Sequence, residues 1–301
     1  MRVVRAYSPS GLSGLFSAYT DPPDIYRRGA RGAGIALVHG VNVTVEAEES
    51  ERTVLMCYLN GQRAELGLVN RLLSRVMKKA GVSSPFRIVV RQEVNVPMGG
   101  GLGTSGASAL ATALALGRAL NTSLSYIELA REAHAAEIEE GTGLGTISGL
   151  AIGGVVAVVR PGAPGYDSVL RLVADPGLKI VIGFFGPISK RIALSRSDLA
   201  RVNEQGRRAL AELLREPTIE RFVDCSKRFA LQAGFMTERV RRAIVAAEEA
   251  GAMGASQAMI GETAFALATE DRARHVAEAM EKLGAQVFIT EVSWSPARLV
   301  T

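Results

Sequence analysis

The sequence predicts an α+β protein in two domains, and three observations predict it. The first half alternates strand-like and turn-rich pieces. A stretch punctuated by Pro and Gly, "RPGAPGYDSV" at 160–169, marks a change of composition. The last stretch reads as strand, helix and strand: "TAFALAT", "DRARHVAEAMEKLG" and "AQVFITEV". The expected domains are 1–165 and 175–301. A chain of 301 residues, 48% hydrophobic and 22% charged, can bury one large core or two moderate ones.

The elements follow in order. "GIALVHGVNVTVEAE" (34–48) is rich in β-branched residues and predicts paired strands around Gly40. "LGLVNRLLSRVMKKAG" (66–81) carries helical spacing, with Gly81 as its stop. "PFRIVVRQEVNVP" (85–97) predicts a strand leading into a glycine-rich loop. A helix from about 104 to 120 comes next, apolar nearly all round and so buried. The following helix opens on a capping box, Ser125 with Glu128 three residues on, and ends at Gly141. On its wheel Glu128, Glu132 and Glu139 share a polar face. Glu137 lies opposite, beside Ala130, Ala133 and His134. A carboxylate among small residues must pair with a cationic side chain or bind a cation. "GLAIGGVVAVV" (149–159) predicts a buried strand, and so does 178–189. Helices are expected over about 198–215, 218–233 and 237–250, before a second glycine-rich stretch.

Composition excludes several function classes. The net charge of +5 is spread along the chain, and aromatic residues are only 5%, so a nucleic-acid arm or stacking platform is poorly supported. A modest positive field suits a small anionic substrate. The longest apolar run is far shorter than the roughly 20 residues of a membrane span. Neither a membrane partner nor a secretory signal is expected. Two distant cysteines, Cys57 and Cys225, point to a reducing cytoplasm, and three His residues without close Cys make structural zinc improbable.

"PMGGGLGTSGASALATALAL" (97–116) is the most informative stretch. Five glycines fall within the eight positions 99–106, immediately before a strong helix former. Each Gly costs roughly 0.5–1 kcal/mol relative to Ala in regular structure, so something must approach the backbone that a Cβ would obstruct. The open amides and dipole of the helix that follows suit an anion. The Walker pattern fails, since Thr104 follows Gly103 and no Lys is present. Gly101, Gly103 and Gly106 match the dinucleotide pattern by letters, but its second strand and acidic residue are missing. A phosphate loop of another type remains, with Thr104 and Ser105 where a metal or phosphate would sit.

With Glu137 and the late segment "GAMGASQAMIGETAFAL" (251–267), this loop resembles that of the GHMP kinase superfamily, which includes galactokinase, homoserine kinase and mevalonate kinase. The match is to P-x-G-x-G-L-G-S-S-A, Thr104 replacing the first Ser. The stretches "SGLSGLFSAY" (10–19), "DPPDIYRRGARGAGIALVHGV" (21–41) and "EIEEGTGLGTISGLAIGG" (137–154) are most similar to one archaeal branch, whose acceptor is a small hydroxy acid. The family pattern usually carries a His where Gly11 stands and an acidic residue where Thr146 stands.

The resemblance implies an N-terminal mixed α/β phosphate-loop domain and a ferredoxin-like α+β C-terminal domain. It implies an ATP-dependent kinase using Mg²⁺, with ATP cradled by Pro97, Gly99, Gly100, Gly101, Leu102, Gly103, Thr104, Ser105 and Gly106. Ser105, otherwise a helix N-cap, and Glu137 would hold the metal. Arg31, set in "RRGARGAG", has the planar fork that suits an acceptor carboxylate, with Arg28 second. Ser13 and Ser189 would hydrogen-bond the acceptor. Thr146 would orient it, with Asp21 or Asp24 as a substitute base. His134 reads as a core histidine, and Asn70 as an adenine contact. The partners implied are ATP and the small acceptor, with a homodimer by analogy. Other hydroxyl acceptors of the mevalonate or homoserine type, or a degenerate ligand-binding paralogue, are the alternatives.

Overall fold

Two sheets set the architecture of the computed structural model, which describes residues 1–187 and 199–301. The larger is built on two long antiparallel strands, β1 (Arg2–Tyr19) and β2 (Gly29–Glu49), joined by a short 3-10 turn at Ile25–Arg27. β3 (Val54–Leu59) and β4 (Gln62–Arg63) form a hairpin, and β5 (Phe86–Val94) lies between β2 and β3. β6 (Val155–Arg160) pairs with the first part of β2, and β7 (Ser168–Leu172) extends it. The sequence predicts paired strands around Gly40, yet β2 is one strand. Its register against β1 slips between Pro9 and Ser10, so its two parts pair with β1 rather than with each other.

Helices α1 (Gly67–Ala80), α2 (Thr104–Ala119) and α3 (Tyr126–Glu139) pack together, α2 lying against β1 and β2. Gly81 ends α1 in the left-handed conformation, and the Ser125–Glu128 capping box opens α3. α2 is buried continuously from Gly106 to Gly117, as its all-round apolar face requires. Only the end of 149–159 is a strand. Its first residues complete α4 (Thr146–Leu150), because the glycines at 153 and 154 take positive φ and turn the chain before β6. The expected linker likewise contains the start of β7.

The second sheet, antiparallel throughout, runs β11 (Gln286–Glu291), β8 (Lys179–Phe184), β10 (Thr263–Ala268) and β9 (Gly254–Gln257). Ranked along the chain, that order is the ferredoxin-like 4-1-3-2. Helices α5 (Leu199–Arg215), α6 (Ile219–Gln232) and α7 (Glu238–Glu249) separate β8 from β9, and α8 (Glu270–Glu281) separates β10 from β11. The last strand, β12 (Arg298–Val300), returns to the first sheet beside β1. One core joins Leu12, Leu15 and Ile35 of the first sheet to Ile180, Phe222 and Phe265 of the second half. No helix among the described residues is long and apolar enough to cross a membrane.

α3 departs from its wheel in one respect. Glu132, placed on the polar face, is 2% exposed. It accepts from Arg75 Nε at 2.9 Å and from the Tyr26 hydroxyl at 2.7 Å, while Arg75 also pairs with Glu139. Arg75, mostly buried on α1, supplies the compensating charge that a helical wheel cannot see. Burial and the Glu132 carboxylate push the Tyr26 phenol up to about 12. The cluster fastens the turn between β1 and β2 onto α3.

His134 fastens it a second time, its Nε2 bonding the Arg28 carbonyl at 2.9 Å. Burial holds this imidazole down to about 4, against 6.5 ordinarily. Between those values the unfolded chain binds the proton and the folded one does not. The stability due to neutral His134 is therefore full above pH 6.5 and is lost as pH falls towards 4. The expected loss is about 3 kcal/mol across that window. Urea unfolding of the protein and of His134→Gln at pH 7 and pH 4.5 checks it: the variant should show the smaller drop, and parallel drops would contradict the assignment.

Candidate active site

The loop after β5 is shaped by contact on both sides. Gly99, Gly101 and Gly103 take φ of 78°, 76° and 63°, open to glycine at little cost. A Cβ on Gly103 would sit 2.6 Å from the Gly11 carbonyl oxygen and 2.8 Å from Thr146 Cγ2. One on Gly101 would meet the Ala258 carbonyl at 3.0 Å. The Gly11 amide donates to the Leu102 carbonyl at 3.1 Å, tying the loop to β1. Gly103 is the N-cap of α2, with no side-chain cap and no acidic residue in the first turn. The opening amides and the positive end of the dipole are thus left for an anion.

Ser105 does not cap the helix. Its hydroxyl donates to Glu137 Oε1 at 2.6 Å, across from α3. Glu137 is 1% exposed, as its place on the small-residue face of α3 demands. Gly106 and Gly143 leave it room: a Cβ on Gly143 would lie 2.3 Å from Oε1. A carboxylate and a hydroxyl, both hard oxygens, meet at the mouth of the phosphate loop. Such a donor set fits Mg²⁺, which keeps waters and phosphate oxygens for the rest of its shell.

Beside the loop opens a cavity of about 630 Å³. Its walls come from β1, β2, α4, β6, the segment 140–145, Leu199 and residues 259–260, and are mostly apolar. Arg31, Ser13 and Thr146 line it, as does Gly11. Gly11 and Thr146, the two departures from the family pattern, are neighbours: a Cβ on Gly11 would lie 3.7 Å from Thr146 Cγ2. Arg31 Nη1 donates to the Tyr19 hydroxyl at 3.4 Å. Burial alone would raise the Tyr19 phenol, but Arg31 and Arg207 outweigh it and hold it below its ordinary value.

Other residues singled out in the sequence stand elsewhere. Arg28 does not line the cavity, and its Nε donates to the Pro22 carbonyl at 2.7 Å. Neither Asp21 nor Asp24 lines it either. Asp24 caps the 3-10 turn by accepting from the Tyr26 amide at 3.0 Å. Asn70 lies on the exposed side of α1, at a separate depression beside Arg71 and Glu139. Ser189 lies outside the described residues.

The sequence reading passed over Glu140, which lines the cavity and pairs with Arg71 at 2.7 Å. It also gave no role to Met259 and Ile260, which close the cavity from the second half. The glycines of "EEGTGLGT" were the available signal for the first. For the second there was only the late glycine-rich stretch, whose contact with the phosphate loop spans most of the chain.

The model of the GHMP kinases N terminal domain matches residues 67–154, and that of the GHMP kinases C terminal matches 210–286. A pantoate kinase of Methanocaldococcus jannaschii is 32% identical over 88% of this chain and 93% of its own. One from Thermococcus kodakarensis is 27% identical over 96% of each chain. Among solved structures, a "phosphotransferase related to CoA biosynthesis pathway" superposes with a TM-score of 0.89 at 24% identity, covering 99% of both chains. A homoserine kinase from Cytophaga hutchinsonii follows the same fold with a TM-score of 0.77 at 17% identity, covering 100% of this chain and 98% of its own. Two family models matched in chain order, and a relative alike across nearly its whole length, show that the chain belongs to the GHMP kinase family.

Proposed function

We propose that this protein transfers the terminal phosphoryl group of ATP to a hydroxyl of pantoate, giving 4-phosphopantoate for coenzyme A biosynthesis. The observation that carries the reading is the cavity beside the phosphate loop. It is apolar apart from Arg31, Glu140 and a few hydroxyls, and Glu140 is already paired with Arg71. A branched hydroxy acid presents a carboxylate to Arg31 and methyl groups to the apolar walls. An amino-acid acceptor would need an unengaged carboxylate for its ammonium. The archaeal branch that the first-half stretches resemble is that of the pantoate kinases, and the relatives above carry that name.

In this reading the amides of Gly100 to Ser105 hold the ATP phosphates, and Ser105 and Glu137 are the residues that would hold Mg²⁺. When bound, that ion neutralises charge on the phosphates. Arg31 orients the acceptor, and the Thr146 hydroxyl accepts or donates a hydrogen bond to it. Among the described residues, neither Asp21 nor Asp24 reaches the cavity to take the place of a base at Thr146. In a loose transition state the attacking hydroxyl keeps its proton until late, so positioning and charge neutralisation supply most of the acceleration. The phosphoryl oxygens then take the proton. Two buried free cysteines support a cytoplasmic setting, and family analogy alone supports a homodimer.

Three measurements test this. ADP release should be rapid with pantoate and far slower with mevalonate or homoserine, and Arg31→Ala should raise the KM for pantoate about ten- to a hundredfold at unchanged KM for ATP. Turnover of another acceptor in preference, or weakened ATP binding in the variant, would move the assignment. Glu137→Gln should lower kcat about a hundredfold or more, as loss of a metal-binding group does. Glu139→Gln, which breaks only part-exposed ion pairs, should change it less than about threefold. Equal effects would show that the wrong carboxylate faces the phosphates.

A further inference from the structure

The phosphate loop has an outer side, and the second half of the chain covers it. There β9 ends at Gln257, a short turn follows, and β10 begins at Thr263. The turn presses on the loop: a Cβ on Gly261 would lie 2.3 Å from both the carbonyl carbon and the oxygen of Gly100. The turn is itself held from behind. Gln257, 2% exposed, donates through Nε2 to the carbonyls of Gly261 and Phe235 at 2.9 and 3.2 Å. The Thr263 carbonyl accepts from the Ala258 amide at 2.9 Å, closing the turn on its own strand.

Two polar atoms in this contact are left over among the described residues: Gln257 Oε1, behind the turn, and the Thr263 hydroxyl, on the side of the loop. Thr263 is 0% exposed, and among the described residues its hydroxyl has no hydrogen-bond partner. The hydroxyl lies against the loop, since a Cβ on Gly100 would sit 3.0 Å from Thr263 Oγ1. A buried hydroxyl without a partner is destabilising, and Val fills the same shape without it. The loop backbone at Gly100 does offer a partner, because peptide units between glycines reorient at low cost and a hydroxyl rotates to follow.

We propose that Thr263 is a positioning residue of the phosphate loop: its hydroxyl hydrogen-bonds the loop backbone at Gly100 once nucleotide is bound, and so fixes the direction of the loop amides. The inference rests on the reading of this loop as the nucleotide-phosphate site. Thr263 then gains with nucleotide the partner it lacks without it, and the second half of the chain shares in binding ATP without touching it.

The test is titration calorimetry of ATP with Mg²⁺, acceptor omitted, on the protein and on Thr263→Val and Thr263→Ser, with thermal unfolding of each free protein. Thr263→Val should unfold at or above the temperature of the parent and yet bind nucleotide about tenfold more weakly. Thr263→Ser, which keeps the hydroxyl, should bind within about threefold of the parent. Unchanged affinity in Thr263→Val would overturn the proposal. So would equal losses in both variants, which would trace the effect to the methyl group. A lower unfolding temperature in Thr263→Val would do the same, since the hydroxyl would then be satisfied already in the free protein. Failure of the parent to bind nucleotide would overturn the assignment of the loop itself, and this inference with it.

Discussion

The passage of a glycine-rich backbone through a gap that a Cβ would block at three positions, 100, 101 and 103, is the constraint on which the rest of this structure depends. Residues 99–103 run between Gly11 and Thr146 on one side and the turn at 258–261 on the other. At 100, 101 and 103 a Cβ would crowd these neighbours, while Leu102 turns its side chain into the core. The conformational freedom of those glycines costs stability that the contacts on both sides must offset. Those contacts come from β1, α4 and the β9–β10 turn, elements from both sheets. The core running from Leu12 to Phe265 is therefore more than a filler of volume. It sets the width of the gap, and with it the positions of the amides that open α2.

Electrostatics then sorts the helices around that loop. α3 carries four glutamates, and the structure gives each its own surroundings. Glu128 caps the helix, Glu132 is buried against Arg75 and Tyr26, and Glu139 shares Arg75 and Arg71. Glu137 meets the Ser105 hydroxyl. Removing a carboxylate from water costs several kcal/mol unless a cation or hydrogen bonds compensate it. Arg75 compensates Glu132, which makes that site structural. Glu137 faces the phosphate loop, where a divalent ion accompanying a polyphosphate would compensate it. The same chemistry thus yields an anchor at one position of the helix and, in the proposed function, a metal-binding carboxylate five residues later.

Much of this was legible in the sequence, for reasons that can be named. The capping box, the stop at Gly81 and the buried helix from Thr104 are local signals, and each appears where the pattern places it. Glu137 was legible because a carboxylate on a small-residue face is an exception to ordinary burial. β2 was misread as a pair because Gly40 is a common turn signal, whereas here it sits at a register slip paired with Pro9. Glu132 was misread because its partner lies 57 positions away on α1. Thr263 was invisible for the same reason: a hydroxyl in an apolar strand has no meaning until Gly100 is placed beside it. Local periodicity shows which faces are buried, but not which buried groups meet.

The central claim is that a pre-shaped loop and one buried carboxylate form a single site for a polyphosphate and its metal. A crystal structure of the protein with a non-hydrolysable ATP analogue and Mg²⁺ tests it most directly. The account expects the phosphate oxygens within hydrogen-bond distance of amides between Gly100 and Ser105, and the ion bound by the Ser105 hydroxyl and the Glu137 carboxylate. Phosphates lodged elsewhere, or an ion held by Glu139 and Glu140 instead, would contradict it.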